Sequence, residues 1–170
     1  MNPINLAENA TIANIGCGTA LHEHPCVNID LDWSVRPDFV INLNKDRLPF
    51  KDNQLEKVYA QYIFEYLTHD GFFHCMRELY RVCKNDASIV VSLASCEDRS
   101  RSSRDILHDP AVYRTNLTMK SFNNFSKKLN NLGDTVSNLG LFYNVDFEVD
   151  VQKLVIPGYA SSFYLRVVKK

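Results

Sequence analysis

The sequence predicts a single-domain α/β fold built on a mostly parallel β-sheet, and three observations support that prediction. Short apolar segments rich in β-branched residues alternate with turn signals over the first 110 residues. A segment with helical periodicity precedes the most apolar of these segments. The chain has 170 residues, the length of a single domain, so we take 1–170 as one unit.

Five strands are expected in the first part of the chain, in the segments 10–15, 26–31, 38–43, 55–61 and 88–94. The last of them, "SIVVSLA", is almost wholly apolar. Strands that are apolar on both faces are typical of the interior of a covered parallel sheet. These segments therefore predict parallel strands joined by crossover connections.

Two helices are expected between and after these strands. Thr68 is placed as an N-cap, Asp70 suits the positive end of a helix, and the apolar residues that follow recur at helical spacing, namely Phe72, Met76, Leu79 and Cys83. A second helix is expected over 118–131, with Gly133 placed to end it.

The C-terminal part predicts an antiparallel hairpin. Its two strands, 141–156 and 161–168, are separated by Pro157 and Gly158. The segment 96–117 lacks a sustained period, and we expect it to form a loop on the substrate side. Residues 1–11 are taken as a short lead into the first strand.

Composition argues against several classes of protein. The chain has 19 basic and 20 acidic residues, which argues against nucleic acid as a partner. Five cysteines without a Cys-x-x-Cys pair indicate reduced thiols rather than a secreted disulfide framework. No signal peptide or apolar run of spanning length is present, so we expect a cytoplasmic protein without membrane insertion.

Groups suited to a ligand follow the first three strands. Asn14, Gly16, Cys17 and Gly18 stand at the first strand end, Asp30 at the second, and Asn42 with Leu43 at the third. Glycines let a ligand approach the backbone, and a carboxylate accepts hydrogen bonds from vicinal hydroxyls. Ligands of open parallel sheets bind outside the carboxyl ends of the strands, so we expect these groups to face one site.

The segment "LHEHPC" raises the alternative of a metal site formed by His22, His24 and Cys26. Common zinc sites use paired ligands separated by two to four residues, whereas these residues alternate, so we expect no metal. The chain from Gly18 to Val27 is too short for a full crossover helix. The first helix of the fold is therefore expected to be shortened or missing.

Five segments of the chain follow one another in sequence, namely "NIGCGTA", "VNIDLD", "INLNKDRLPFKDNQLEKVYAQYIFEYL", "MRELYRVCKNDASIVVSLAS" and "HDPAVYR". Their order resembles that of the motifs in class I S-adenosylmethionine (SAM)-dependent methyltransferases. More narrowly, the chain resembles a small bacterial, type 11-like group with "GCG", "INVDI", "DLxxPLPFPDNSFD" and "LEHL". The resemblance covers about residues 12 to 114. It implies a Rossmann-like, seven-stranded sheet of order 3-2-1-4-5-7-6 whose last strand is antiparallel.

The resemblance also implies roles for individual residues. Gly16, Cys17 and Gly18 would line the amino-acid part of SAM, and Asp30 would bind its ribose. Leu31 would flank the adenine, with Asn42 and Leu43 on the other side. Ala60, Gln61 and Tyr62 would face the sulfonium and the acceptor.

Three positions depart from the group's pattern. Asn14 stands where an acid usually helps to orient the methionine amine, and Asn42 replaces an aspartate. Glu65 and Tyr66 occupy the "EH" of "LEHL", so the imidazole is missing. These departures keep open a non-catalytic or degenerate binding module as the alternative function.

Candidate catalytic residues lie in "HDP" and after the fourth strand. His108 and Asp109 are candidates for taking a proton from a hydroxyl acceptor. Tyr62 is a candidate for closing the pocket over the sulfonium by cation–π attraction. Arg99, Arg101 and Arg104 suggest phosphate binding, although arginines in a serine-rich loop are more often simply solvated.

The function that the resemblance implies is SAM-dependent methyl transfer to a small or saccharide-like acceptor, with a sugar hydroxyl as the first expectation. A nicotinamide-dependent oxidoreductase would require a third glycine and a helix after "GCG". The acceptor is expected to be enclosed either by the loop 96–117 or by a second subunit, so a homodimer stays open.

Overall fold

The computed structural model describes residues 3–94, 109–112, 117–150 and 162–169. They form a seven-stranded sheet of order β3-β2-β1-β4-β5-β7-β6. The strands are β1 Ile12–Ile15, β2 Cys26–Asp30, β3 Phe39–Val40, β4 Leu55–Gln61, β5 Cys83–Ser92, β6 Phe147–Asp150 and β7 Ser162–Val167. Strands β1 to β5 are parallel, and β7 is antiparallel to β5 and to β6. This topology confirms the predicted Rossmann-like class I methyltransferase fold with its antiparallel C-terminal pair.

The predicted strand bounds hold for β4 and differ most at β3 and β5. Strand β4 has the predicted bounds, whereas β3 is limited to two residues instead of the predicted segment 38–43. The chain turns immediately after β3, because the carbonyl of Asn42 accepts the N–H groups of Lys45 and Asp46. Strand β5 begins five residues earlier than the predicted 88–94, at Cys83, which pairs with Leu55.

Five α-helices are described: α1 Pro3–Asn9, α2 His69–Val82, α3 Met119–Asn123, α4 Lys127–Leu132 and α5 Leu139–Tyr143. Two 3₁₀ helices span Trp33–Val35 and Phe64–Tyr66. Helix α2 begins at the predicted cap, where Thr68 Oγ1 accepts the Gly71 N–H at 3.1 Å. None of the helices in the described ranges is long and apolar enough to cross a membrane.

The single helix predicted over 118–131 is wrong, because the chain forms α3 and α4 there. Ser126 has an extended backbone and caps α4 by accepting the Leu129 N–H at 3.3 Å. Asp146 adds a second cap, since its Oδ1 accepts the Lys127 N–H at 2.9 Å. Gly133 ends α4 at φ 73°, as predicted.

The strand predicted from residue 141 begins only at Phe147, and the residues before it form α5. Gly140 donates its N–H to Asn124 O at 2.9 Å and accepts the Val145 N–H. A Cβ at Gly140 would lie 2.7 Å from the Phe125 carbonyl oxygen. The segments around Gly140 and Phe125 approach closely and stabilise a helix, whereas the apolar residues alone indicated a strand.

The apolar core lies on one face of the sheet. The strand residues of this face are fully or nearly fully buried, and they include Ala13, Ile15, Val27, Ile29, Val58, Ala60, Ile89, Val91, Phe163 and Leu165. Helices α1, α2 and α3 bury apolar side chains against them. The ring of Phe122 contacts the rings of Phe72 and Phe163 edge to face. The helices therefore cover this face and leave the carboxyl edge of the strands available for a site.

The first crossover contains no helix. Residues 16–25 connect β1 to the parallel strand β2 as turns and irregular chain. The prediction of a shortened or missing first helix is confirmed. As a consequence, polar side chains on the second face of β1 and β2 must be covered by the connection itself.

Candidate functional site

A cavity of about 930 Å³ opens at the carboxyl ends of the parallel strands. A pocket of this size lies within the usual range for sites that hold a small molecule or cofactor. Its wall contains nine of the ten residues predicted to bind the cofactor, namely Asn14, Gly16, Cys17, Gly18, Asp30, Leu31, Asn42, Leu43 and Gln61. The predicted catalytic residue Tyr62 lines the cavity as well. The remaining one, Ala60, is 0% exposed, belongs to the core face of β4 and does not line the cavity.

The loop after β1 is tied to the end of β2 by Asp30. Asp30 Oδ2 accepts the Gly18 N–H at 2.7 Å, and Oδ1 accepts the Asp32 N–H at 2.9 Å. Each carboxylate oxygen has a second lone pair available to a ligand. Asp30 therefore fixes the loop and still offers acceptors at the cavity wall.

The two glycines of this loop have different surroundings, although both have positive φ values of 63° and 49°. A Cβ at Gly16 would lie 2.4 Å from the side chain of Ile63, whereas a Cβ at Gly18 would meet nothing within 4 Å. Gly16 is thus required by packing inside the protein. Gly18 leaves open space for a ligand against the backbone.

Two buried asparagines cover the gap left by the missing helix. Asn14 Nδ2 donates to Ala20 O at 3.0 Å and to Asn28 Oδ1 at 3.2 Å. Asn28 in turn pairs with the backbone of His22, accepting its N–H at 2.9 Å and donating to its carbonyl at 2.8 Å. The connection between β1 and β2 is therefore held by side-chain amides instead of a helix.

The turn after β3 is built around Asn42 and Asn44. Asn42 Oδ1 accepts the Asn44 N–H at 3.0 Å, and Asp46 Oδ2 accepts the Asn42 N–H at 2.9 Å. Asn44 Oδ1 accepts both the N–H and the hydroxyl of Thr68, at 2.8 and 3.0 Å. The third strand end is thereby joined to the start of α2, and Leu43 presents an apolar side chain beside it.

Tyr62 lies directly after β4 with a left-handed backbone, φ 56°. Its N–H donates to Ser92 O at 2.8 Å, which keeps β4 and β5 together at the edge of the cavity. Such a conformation costs a non-glycine residue on the order of 1 kcal/mol or more, and it is held by the surrounding structure. It turns the chain so that Tyr62 lines the cavity beside Gln61.

One cavity residue without a predicted role contacts a predicted catalytic residue. Tyr66 lines the cavity, and its hydroxyl donates to Asp109 Oδ2 at 3.2 Å. Burial, followed by the charge of Asp109, raises the pKa of Tyr66 to about 12. The sequence signal was the departure from "LEHL", which marked Tyr66 as unusual but did not connect it to Asp109.

Glu65 directly precedes Tyr66 in the chain and is 1% exposed. Its Oε1 accepts the Ala94 N–H at 2.6 Å, while Oε2 has no hydrogen-bond partner in the structure as described. Burial raises the pKa of Glu65 to about 6, against the opposing effect of the Ala94 hydrogen bond. This carboxyl joins the second 3₁₀ helix to the residues that follow β5.

The alternating His22, His24 and Cys26 do not come together. The His22 ring lies 4.3 Å from the Tyr59 ring, His24 Nε2 lies 3.9 Å from Asp38 Oδ1, and Cys26 is buried. Burial raises the pKa of Cys17 and Cys26 to about 11, so both stay thiols at neutral pH. Over the residues with described positions, no three His, Cys, Asp or Glu side chains are placed to hold a metal ion.

Several predicted residues lie outside the described residues. His108 is among them, as are the arginines 99, 101 and 104. Asp109 is described, and its Oδ1 accepts the Ala111 N–H at 2.8 Å. Ala111 also lines the cavity, so the segment 109–112 contributes to the wall near Tyr66.

No protein-family model and no curated protein matches the chain by sequence. Solved structures do match it by shape. A SAM-dependent methyltransferase from Archaeoglobus fulgidus matches with a TM-score of 0.56 and 12% identity, over 98% of this chain and 89% of its own. One from Methanosarcina mazei matches with a TM-score of 0.54 and 14% identity, over 97% and 96%.

A third match is the 1,6-didemethyltoxoflavin-N1-methyltransferase of Burkholderia thailandensis, solved with S-adenosylhomocysteine. It has a TM-score of 0.53 and 9% identity, over 99% of this chain and 75% of its own. Identities this low establish the fold alone. Together with the strand order, they show that this chain has the fold of the class I SAM-dependent methyltransferases.

Proposed function

We propose that the protein is a SAM-dependent methyltransferase that acts on a hydroxyl group of a small or saccharide-like acceptor. The observation that carries the proposal is the hydrogen bond of 2.7 Å from Gly18 N–H to Asp30 Oδ2 at the cavity wall. It brings an open, glycine-containing loop and a carboxylate to adjacent strand ends, where open parallel sheets bind their ligands.

The residues present fit this cofactor. The loop from Gly16 to Gly18 would hold the amino-acid part, because open space lies where a Cβ of Gly18 would stand. The remaining lone pairs of Asp30 would accept hydrogen bonds from the ribose hydroxyls. Leu31 and Leu43 offer apolar side chains for the adenine on the neighbouring strand ends.

Asn14, Cys17, Asn42, Ala60 and Gln61 complete the proposed cofactor site in different ways. Asn14 and Asn42 act indirectly, because their side chains hold the loops after β1 and β3. Cys17 and Gln61 line the wall, whereas the buried Ala60 supports it from the core side. When bound, SAM supplies an electrophilic methyl group, so the protein needs chiefly to orient the acceptor and exclude water.

The acceptor would occupy the part of the cavity beside Tyr62, Tyr66 and Ala111. Aromatic rings there suit the apolar face of a sugar or another flat ring, while Ser92 and Gln61 offer polar groups. Tyr62 would also attract the sulfonium, an interaction of about 1 kcal/mol. His108 and Asp109 remain the proposed residues for accepting the acceptor's proton.

Calorimetry with SAM and S-adenosylhomocysteine tests the proposal directly. We expect both to bind the wild-type chain, and we expect Asp30→Ala to lose at least about tenfold in affinity, because ribose acceptors and the loop tether disappear together. The matched control is Asp134→Ala, an exposed aspartate after α4. Absence of binding to wild type at millimolar ligand would refute the proposal.

A second candidate is a methyltransferase-like module that binds a partner without catalysis. It is favoured by the internal hydrogen bonds that occupy Asn14 and Asn42, two of the three positions that depart from the family pattern. Release of S-adenosylhomocysteine in the presence of an acceptor panel separates the two candidates. Binding of SAM without such release would establish the module.

A further inference from the structure

Tyr66 and Asp109 form a contact between two separate parts of the cavity wall. Tyr66 belongs to the 3₁₀ helix Phe64–Tyr66, which follows β4, and it lines the cavity. Its hydroxyl donates to Asp109 Oδ2, and the other oxygen of Asp109 accepts the Ala111 N–H. The carboxylate is therefore oriented from one side by a backbone amide and binds the phenol on the other.

The phenol stays protonated at neutral pH. Burial, the charge of Asp109 and the hydrogen bond to it raise the pKa of Tyr66 to about 12, with a smaller effect from Glu65. Among the described residues, Asp109 and Glu65 are the charged groups that act on this hydroxyl. Because its proton is directed to Asp109, the phenolic oxygen has its lone pairs available to a hydrogen-bond donor in the cavity.

Three other ionisable groups of the wall lie away from the proposed acceptor. Asp30 binds the Gly18 and Asp32 amides, and Asp32 Oδ1 accepts the Ser34 N–H at 2.8 Å. Burial raises the pKa of Cys17 to about 11. These three groups lie with the loops after β1 and β2, whereas Tyr66 lies after β4, beside the proposed acceptor.

We propose that Tyr66 and Asp109 work as a pair that accepts the proton of the hydroxyl group being methylated. This inference rests on the proposed function and adds Tyr66 to it as a catalytic residue. In the paired arrangement the acceptor hydroxyl donates to Tyr66 Oη while Tyr66 donates to Asp109 Oδ2. Tyr66 Oη and Asp109 Oδ2 are 3.2 Å apart, within the reach of a catalytic hydrogen bond.

The proton and electron count of the step balances. The acceptor oxygen forms a bond to the methyl carbon, and the carbon–sulfur bond breaks with its electron pair moving to sulfur. The acceptor's proton passes to Tyr66 Oη as the proton of Tyr66 passes to Asp109. The products are a methyl ether, the thioether and a neutral Asp109 carboxyl group, which returns its proton to water.

The test compares acceptors that differ in acidity. Wild type, Tyr66→Phe, Asp109→Asn and the double variant are assayed with SAM and a panel of monosaccharides, phenol and 4-nitrophenol. For sugars and phenol, each single variant should lower kcat by about 100-fold or more, the size of a general-base contribution. For 4-nitrophenol, which ionises without assistance, the loss should be below about threefold.

The double variant should be no slower than the slower single variant, because the two residues act as one unit. Tyr59→Phe is the matched control, since Tyr59 lies on β4 beside His22 and does not line the cavity. Asp134→Asn serves the same purpose for Asp109. Circular dichroism and thermal unfolding establish that each variant is folded.

The outcomes distinguish three cases: a proton-accepting pair, a contact between Tyr66 and Asp109 that is only structural, and a proposed function that is wrong. Equal losses for all acceptors, or wild-type rates in Tyr66→Phe, overturn the pair. Binding of SAM without methylation of any probe also overturns it. Failure of the wild type to bind SAM refutes the proposed function itself, and calorimetry identifies that case independently.

Discussion

Asn14 and Asn28 join β1 to β2 through a buried hydrogen bond, with Nδ2 of Asn14 lying 3.2 Å from Oδ1 of Asn28. The same Nδ2 group donates to Ala20 O. Both partners of Asn14 are acceptors, so the position needs a donor. This requirement explains why an amide, and not a carboxylate, suits position 14.

The first prediction follows from that requirement. Asn14→Asp would place a carboxylate against two acceptor oxygens in a buried site, and we expect it to lower the free energy of unfolding by about 3 kcal/mol. Denaturant unfolding at pH 7 measures the effect. Asn131→Asp, an exposed change on α4, should cost less than about 1 kcal/mol. Equal stability of Asn14→Asp and wild type would contradict the structural role of the amide pair.

Glu65 provides a prediction about pH. Its pKa is raised from 4.5 to about 6, so the folded chain holds this proton at pH values where the unfolded chain has released it. The contribution is therefore unfavourable to folding above pH 6, and it disappears as the pH falls below 4.5. A shift of this size corresponds to about 2 kcal/mol.

Glu65→Gln removes the titration and should change the pH profile accordingly. Between pH 4.5 and 7.5 the difference in unfolding free energy should move by about 2 kcal/mol in favour of the variant. Glu23→Gln, an exposed change in the first crossover, should produce no such trend. A difference between Glu65→Gln and wild type that stays constant over this range would show that burial does not perturb Glu65.

The third prediction separates the two glycines of the loop after β1. Gly16→Ala combines a left-handed backbone with overlap on Ile63, so it should cost about 3 kcal/mol of stability. Gly18→Ala has the backbone cost alone, about 1 kcal/mol of stability. It should nevertheless weaken SAM binding, because the new Cβ would occupy the open space proposed for the cofactor. Gly133→Ala, with φ 73° and open surroundings, controls for the backbone cost without touching the cavity. If Gly18→Ala and Gly133→Ala bind SAM equally well, the cofactor does not lie against Gly18.

The fold could be predicted from local signals combined with the order of motifs. Alternating strand segments and the Thr68 cap located β4 and α2, and strand order followed from the resemblance. What the sequence did not reveal depends on distant partners. The break between α3 and α4 is stabilised by Asp146, which caps α4 from 19 residues away.

In the candidate site, too, the sequence identifies residues with a local signal and misses those that depend on distant partners. Gly16, Gly18 and Asp30 could be found because each follows a strand, and parallel strands end at one edge of the sheet. Tyr66 and Asp109 are 43 residues apart and meet only in the folded chain. A strand-end rule cannot find such a pair, since Tyr66 lies in a 3₁₀ helix beyond the end of β4.

The last prediction concerns Arg81, which fixes α2 to the turn before β4. Its guanidinium binds both oxygens of Glu78 at 2.8 and 2.7 Å, Asp52 at 2.8 Å, and the carbonyls of Phe50 and Leu48. Five bonds from one planar group require the geometry of arginine, because a lysine ammonium has three donors and no fork.

Arg81→Lys should therefore lower the free energy of unfolding by about 2 kcal/mol, although the charge is preserved. Arg77→Lys on the same helix is the control, because Arg77 is exposed and should change stability by less than about 0.5 kcal/mol. Denaturant unfolding in low and high salt distinguishes the causes. Loss of geometry predicts a difference that persists in high salt, since the side chain of Arg81 is only 17% exposed and its bonds are poorly screened. A difference that vanishes in high salt would instead assign the stabilisation to long-range charge attraction, which lysine supplies as well as arginine does.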